Sequence, residues 1–239
     1  MATQSMITII GVGHVFAISD RLNQMILERA PQVVCVELDP SRYQALVERQ
    51  RSRRVPIQYT LLAMFQSKMA GEFGTEVGDE MLAAASAARA VSAQLAFIDV
   101  DASRMLTMLW KEMSVKEKLR LFVGALVGLV SSKEKVEEEM EAYYSNDGAY
   151  IESVGDQFPA VKKVLIDDRN TVMAKRIASL AMENDRVVAV VGDGHVPGIV
   201  KELGRDDVEV VRLRELMSAA PGDVSAEYTV SYVYGDGTR

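Results

Sequence analysis

Two rhythms of apolar residues run along the chain. Short β-rich runs are apolar almost throughout, and longer stretches repeat an apolar position every three to four residues. Met6–Ile10 is the first short run and ends at Gly11; Val33–Val36 is the second and passes into Glu37-Leu38-Asp39-Pro40. Between them Ile18, Leu22, Met25, Ile26 and Arg29 fall at helical spacing, with Ser19 as the expected N-cap and Pro31 as the stop. This predicts a β-α-β unit and therefore parallel strands. A third strand is expected over Leu95–Val100, after an Ala- and Met-rich helix over 77–93. A fourth is expected over Val187–Val191, after a helix over 170–182, and a fifth over Val208–Leu213. Continuously apolar strands alternating with helices define an α/β protein, a mostly parallel sheet flanked by helices on both faces.

Residues 101–150 break that rhythm. They read as a helical insertion or cap within a single domain spanning 1–239, apolar over Leu119–Val130 and charged over Lys133–Glu141. Such an insertion packs on the core, or serves as a lid or a homodimer surface. In the tail, Tyr228, Val230, Tyr232 and Tyr234 alternate with Thr229, Ser231 and Val233. That pattern predicts an antiparallel C-terminal edge strand over Ala226–Tyr234, or an arm reaching a partner subunit.

Composition narrows the function. The 239 residues are 49% hydrophobic and 26% charged, enough apolar material for a core. A net charge of −7 argues against nucleic-acid binding, and the local run Arg49, Arg51, Arg53, Arg54 reads as solvated rather than as an anion site. The single cysteine, Cys35, lies inside an apolar run, so it reads as core filler in a reducing, cytoplasmic compartment. Neither the N-terminus nor Leu119–Val130 has the length or apolarity of a membrane span or signal peptide.

The chain has only two histidines, and both stand in the same setting: Gly11-Val12-Gly13-His14-Val15 and Gly192-Asp193-Gly194-His195-Val196. Each follows a predicted strand. In open α/β sheets the ligand crevice lies at the carboxyl ends of the strands, and glycines there admit a ligand closely. Neighbouring strand ends supply carboxylates, Glu37 and Asp39 after the second and Asp99 and Asp101 after the third. Two neutral imidazoles and a carboxylate form a donor set for a divalent transition metal such as Mn, Co or Zn, whose open position would hold a water for attack. Glu37 is the expected ligand, because it follows Val-Val-Cys-Val and needs a partner when buried. Asp39, before Pro40-Ser41, is the expected helix-start residue. Asp167 or Asp168 suits the N-terminus of the next helix. Arg169 beside an apolar stripe must be paired if buried, and is expected to clamp Glu37, bind a substrate carboxylate or stabilise an oxyanion.

A dinucleotide site competes for the same residues, since Gly11-Val12-Gly13 follows a strand and Glu37 lies near the distance of a ribose-binding acid. Phe16 stands where a third small residue is needed, and the second copy carries Pro197 and reaches Gly198 one position too late.

With these motifs the chain resembles the TraB/PrgY/Tiki family, its archaeal TraB-like members above all. The resemblance rests on the two Gly-x-x-His elements, Val36-Glu37-Leu38-Asp39, Asp168-Arg169-Asn170, Val191–Ile199, and a middle stretch with Gly71-Glu72-Phe73, Val77-Gly78-Asp79-Glu80, Ile98–Asp101 and Trp110–Ser114. It covers about residues 6–215. The Tiki branch is described as metal-dependent proteases using the paired histidines, an acid and an arginine, and TraB and PrgY are linked to inhibition of pheromone signalling. Carried across, the resemblance implies His14, His195 and Glu37 at a metal, with Arg169 and Glu37 in catalysis. Where the family usually has Glu before the arginine, this chain has Asp168. Many archaeal relatives carry a hydrophobic C-terminal membrane region, and none is read here.

The expectation is therefore a metal-dependent hydrolase of the peptidase kind, acting on a peptide or small molecule, with Gly13, Asp39, Asn170 and Gly194 lining the substrate. The alternative is a non-catalytic protein that binds a peptide or small acid through Arg169 and the glycine turns.

Overall fold

The computed structural model describes residues 5–13, 18–52, 78–120 and 156–218, the side chains of 49–52 and 218 excepted. His14, the residues from 53 to 77 and from 121 to 155, and the tail expected as an edge strand lie outside them.

Five strands are described: β1 (Met6–Val12), β2 (Val33–Val36), β3 (Gln94–Phe97), β4 (Arg186–Gly192) and β5 (Val208–Val211). They form one sheet in the order β3-β2-β4-β1-β5, and each neighbouring pair is parallel. The helices in chain order are α1 (Ser19–Arg29), α2 (Pro40–Ser52), α3 (Asp79–Ala90), α4 (Ala102–Glu112), α5 (Pro159–Lys162), α6 (Asp168–Ala181), α7 (Val196–Leu203) and α8 (Leu213–Ser218).

The strands are apolar on both sides because both sides are covered. Ile10, Val12, Val34, Val36, Val188 and Val190 pack with Leu22, Met25 and Ile26 of α1, Met81, Ala84, Ala87 and Ala88 of α3, and Leu213 and Leu216 of α8. The alternate residues Ile7, Ile9, Val33, Cys35, Val187, Ala189 and Val191 pack with Met173, Ala174 and Ile177 of α6 and Val196 and Ile199 of α7. The steps from β1 out to β3 thus run over one face and the steps back through β4 to β5 over the other. Right-handed crossovers require that arrangement when the chain reverses direction.

Packing divides the chain into two compact units, Met1–Val100 with Asn170–Arg239, and Asp101–Arg169. The first holds the sheet. In the second, Asp101 caps α4 by accepting from Arg104 N at 2.9 Å. Ser114 and Glu117 bond reciprocally, Ser114 N to Glu117 Oε2 at 2.8 Å and Glu117 N to Ser114 Oγ at 3.2 Å, a capping box. Glu117 Oε1 also accepts from Ala160 N at 2.9 Å.

Several element ends differ from expectation. Ser19 is the first helical residue rather than the cap; Ile18 takes the cap position and no side chain bonds there. The third and fifth strands stop at Phe97 and Val211. Asp168 opens α6 as expected, but it does not begin the helical path, which starts at Pro159 and runs through a π-turn, Lys163–Asp167, into α6. The carboxylates of Asp167 and Asp168 meet Lys162 and Lys163.

Candidate functional site

The carboxyl ends of β1, β2 and β4 lie side by side, with Val12 opposite Gly192 and Val36 opposite Val190. At this edge β4 turns at once through a short 3₁₀ segment, Asp193–His195, and α7 begins at Val196. The tight turn holds His195 close to the sheet.

Glu37 leaves the end of β2 with its N–H donating to Val190 O at 3.1 Å. Its side chain is 7% exposed, and the carboxylate needs partners there. Oε2 accepts from the backbone N–H of Gly192 at 2.6 Å, and Oε1 lies 3.5 Å from Nε2 of His195. A side chain on Gly192 would crowd that carboxylate, since an added Cβ would stand 3.3 Å from Oε2.

On its other edge the imidazole meets Asn170, with Nδ1 2.7 Å from Oδ1. A carbonyl oxygen can only accept, so in this amide orientation Nδ1 carries the proton. In the neutral ring Nε2 then presents a lone pair toward Glu37; protonated, it donates to it. Asn170 is 5% exposed, and its amide nitrogen fills the space left by Gly198, where a Cβ would stand only 2.0 Å away. The glycine that sits too late for a dinucleotide motif therefore makes room for the partner of His195.

A second layer of charge lies behind Glu37. Asp39 accepts from Ser41 N at 2.9 Å, Arg42 N at 3.1 Å and the Ser41 hydroxyl, which makes it the start of α2 as expected. Burial pushes its carboxyl up, but those bonds and the Arg42 charge outweigh it and hold the group below its ordinary value. Arg42 donates from Nη1 to Asp99 Oδ2 at 2.9 Å and from Nη2 to the Glu37 carbonyl at 3.0 Å. Asp99 also accepts from Val100 N at 2.8 Å. Arg42 and Asp99 thus join the ends of β2 and β3, while Asp39 caps α2.

Of the residues singled out in the sequence, Glu37, His195 and Asn170 come together. Gly194 lies inside the 3₁₀ turn and Gly13 follows β1 directly. His14 lies outside the described residues. Arg169 belongs to the unit Asp101–Arg169, where Nη1 donates to Leu165 O at 3.1 Å. Arg42, Asp193 and Arg212 were not foreseen as parts of this region. The available signals were the spacing of Arg42 after Asp39 and an acid set between Gly192 and Gly194.

The strand order also bears on the competing dinucleotide motif. β4 lies between β1 and β2, so the acid ending β2 is not beside the Gly11-Val12-Gly13 turn, and its carboxylate is bonded to Gly192.

Fold and site together define a doubly wound α/β protein that gathers an acid, an imidazole and an amide at the carboxyl ends of parallel strands. The chain belongs to the TraB/PrgY/gumN family, whose model matches residues 2–212. It is similar to an uncharacterized protein of Methanocaldococcus jannaschii, 29% identical over an alignment of 225 positions that covers 87% of this chain and 56% of the relative. The chain thus spans little more than half of that relative's length.

Proposed function

We propose that the protein is a metal-dependent hydrolase acting on peptide-like substrates, with His195, Glu37 and His14 as the metal-holding set. The observation that carries this reading is the pair His195 Nε2 and Glu37 Oε1, 3.5 Å apart and both nearly buried. Two ligands of one tetrahedral ion, each about 2.0–2.2 Å from it, stand about 3.2–3.6 Å apart. Donor chemistry agrees, since imidazole and carboxylate suit Zn, Mn or Co.

Among the described residues no group of three His, Cys, Asp or Glu side chains converges. The third donor in this proposal, His14, is the residue that the repeated Gly-x-x-His element supplies after β1.

The surrounding residues fit supporting roles. Asn170 fixes the ring so that Nε2, not Nδ1, is the donor, the usual outer-shell arrangement for a metal-bound histidine. Gly192 N–H holds Oε2 of Glu37, and Oε1 is the oxygen that faces His195. A bound divalent ion would lower the pKa of a water and polarise the scissile carbonyl.

The test is elemental analysis of untagged protein, with His195→Ala, Glu37→Gln and His14→Ala alongside. About one ion per chain is expected in the parent and at least a tenfold loss of affinity in each variant, with the fold retained by circular dichroism. A peptide-library digest with and without Mn, Co or Zn then asks for metal-dependent cleavage. Unchanged metal content in the variants would remove the ligand assignment. Metal-independent peptide binding without cleavage would favour the binding-protein reading.

A further inference from the structure

The turn that carries His195 is anchored on the side away from Glu37 by a second, separate device. Asp193 lies between Gly192 and Gly194, with its side chain 12% exposed. Its carboxylate accepts from Arg212 Nε at 2.9 Å, from Arg212 Nη2 at 2.7 Å and from Leu213 N at 2.8 Å. The guanidinium thus grips both oxygens, the geometry that fixes direction as well as distance. Arg212 is itself placed, because it follows β5 directly and its N–H donates to Glu215 Oε2 at 3.0 Å.

The same carboxylate closes over β1. A Cβ on Gly11 would stand 2.2 Å from Asp193 Oδ1 and 3.0 Å from Val196 Cγ2. One side chain therefore bonds the end of β4 to the end of β5 and packs over β1 at Gly11. His195 is two residues further along a three-residue turn, so little backbone freedom remains between the anchor and the imidazole.

We infer that Arg212 is a positioning residue for His195, acting through Asp193: it sets the turn from the β5 side while Glu37 sets it from the β2 side. The inference deepens the metal-site reading in that the ring held is the proposed ligand, but placement of the ring needs no metal to be true.

The two statements separate in one experiment. With only two histidines in the chain, imidazole nitrogen NMR of metal-free, full-length protein resolves His195, assigned with His14→Gln. The parent is expected to show one tautomer, protonated at Nδ1. In Arg212→Gln the two ring nitrogens should converge toward averaged shifts as the ring is released, and Zn²⁺ affinity should fall about 10–100-fold, the usual cost of losing outer-shell support. Arg205→Gln, which removes the ion pair with Asp207 at the other end of β5, lowers the thermal midpoint but leaves the His195 signals as they were.

Arg212→Lys keeps the charge without the two-pronged grip and should fall between parent and Gln variant; it carries the same readout if Arg212→Gln does not fold. A folded Arg212 variant with parental His195 nitrogen shifts overturns the inference. A parent that shows the single tautomer but takes up no Zn²⁺ instead overturns the metal reading alone.

Discussion

At the residue scale, the site depends on spaces as much as on groups. Gly198 has no strained backbone to accommodate; what it supplies is volume for Asn170, whose amide nitrogen would lie 2.0 Å from any Cβ there. Gly198→Ala should therefore destabilise by about 1–3 kcal/mol, the usual cost of forcing an extra methyl into a filled region. It should also pull Asn170 from His195. Denaturant unfolding checks the first effect, and the His195 tautomer checks the second. A fully parental stability would show that Asn170 has another place to go. Sequence reasoning at this scale singled out Glu37, because a carboxylate after Val-Val-Cys-Val needs a partner, and His195, because it stands in a repeated glycine setting at a strand end; the fold brings the two side by side. It put Asn170 with the substrate, because nothing in the spacing of residues 170 and 195 says that two helices bring them within 2.7 Å. The Asp193–Arg212 grip was hidden for the same reason: its partners lie 19 positions apart and meet only once β5 takes its place beside β1.

At the scale of elements, strand burial makes two predictions. Cys35 lies on β2 with no exposure, and burial pushes its thiol up to about 12. It should react with a thiol reagent at pH 8 only after unfolding, as a buried thiol without a thiolate does; rapid reaction in the native protein would contradict its place in the core. The second concerns the edge where β5, β1 and α1 meet. Glu209 accepts from Thr8 Oγ1 at 2.7 Å and from Arg29 Nε at 3.2 Å. Burial raises its carboxyl, but the Arg29 and Thr8 bonds prevail and hold it below its ordinary value of 4.5. A carboxyl lowered on folding stabilises above its unfolded pKa, and that contribution is lost as pH falls through the folded value. Glu209→Gln should therefore cost stability at neutral pH, with a smaller gap to the parent at an acid pH well below the ordinary value of 4.5. Urea titrations at both values measure it, and a gap independent of pH would sink the idea. Strands were the most legible elements, since a run buried on both faces is apolar throughout. Helix starts were less so: Asp168 does open α6, but nothing in the pattern showed that Pro159 had already set a first turn and that the chain reaches α6 through a π-turn.

At the scale of the molecule, alternation of strands and helices predicted a parallel sheet, but not that β4 inserts between β1 and β2. Sequence order suggests β1 beside β2. Only tertiary pairing reveals that residues some 150 positions apart are neighbours, Val36 beside Val190. That insertion is what brings the Gly192 turn against Glu37, so the site exists because of the one topological feature that local pattern does not encode. It also decides how metal would act on stability. The proposed ligands His14, Glu37 and His195 all lie in the unit Met1–Val100 with Asn170–Arg239. They come from three strand ends that unfolding would separate. An ion that binds only the folded arrangement stabilises it by about 2.7 kcal/mol at one hundred times its dissociation constant. For a chain of this size that is about 5–10 °C in thermal midpoint. Calorimetry with Zn²⁺ or Mn²⁺ should show that rise in the transition of the sheet-bearing unit, and His195→Ala or Glu37→Gln should abolish it. A rise that survives both variants would mean that the ion binds elsewhere, because each variant removes one of the three proposed ligands.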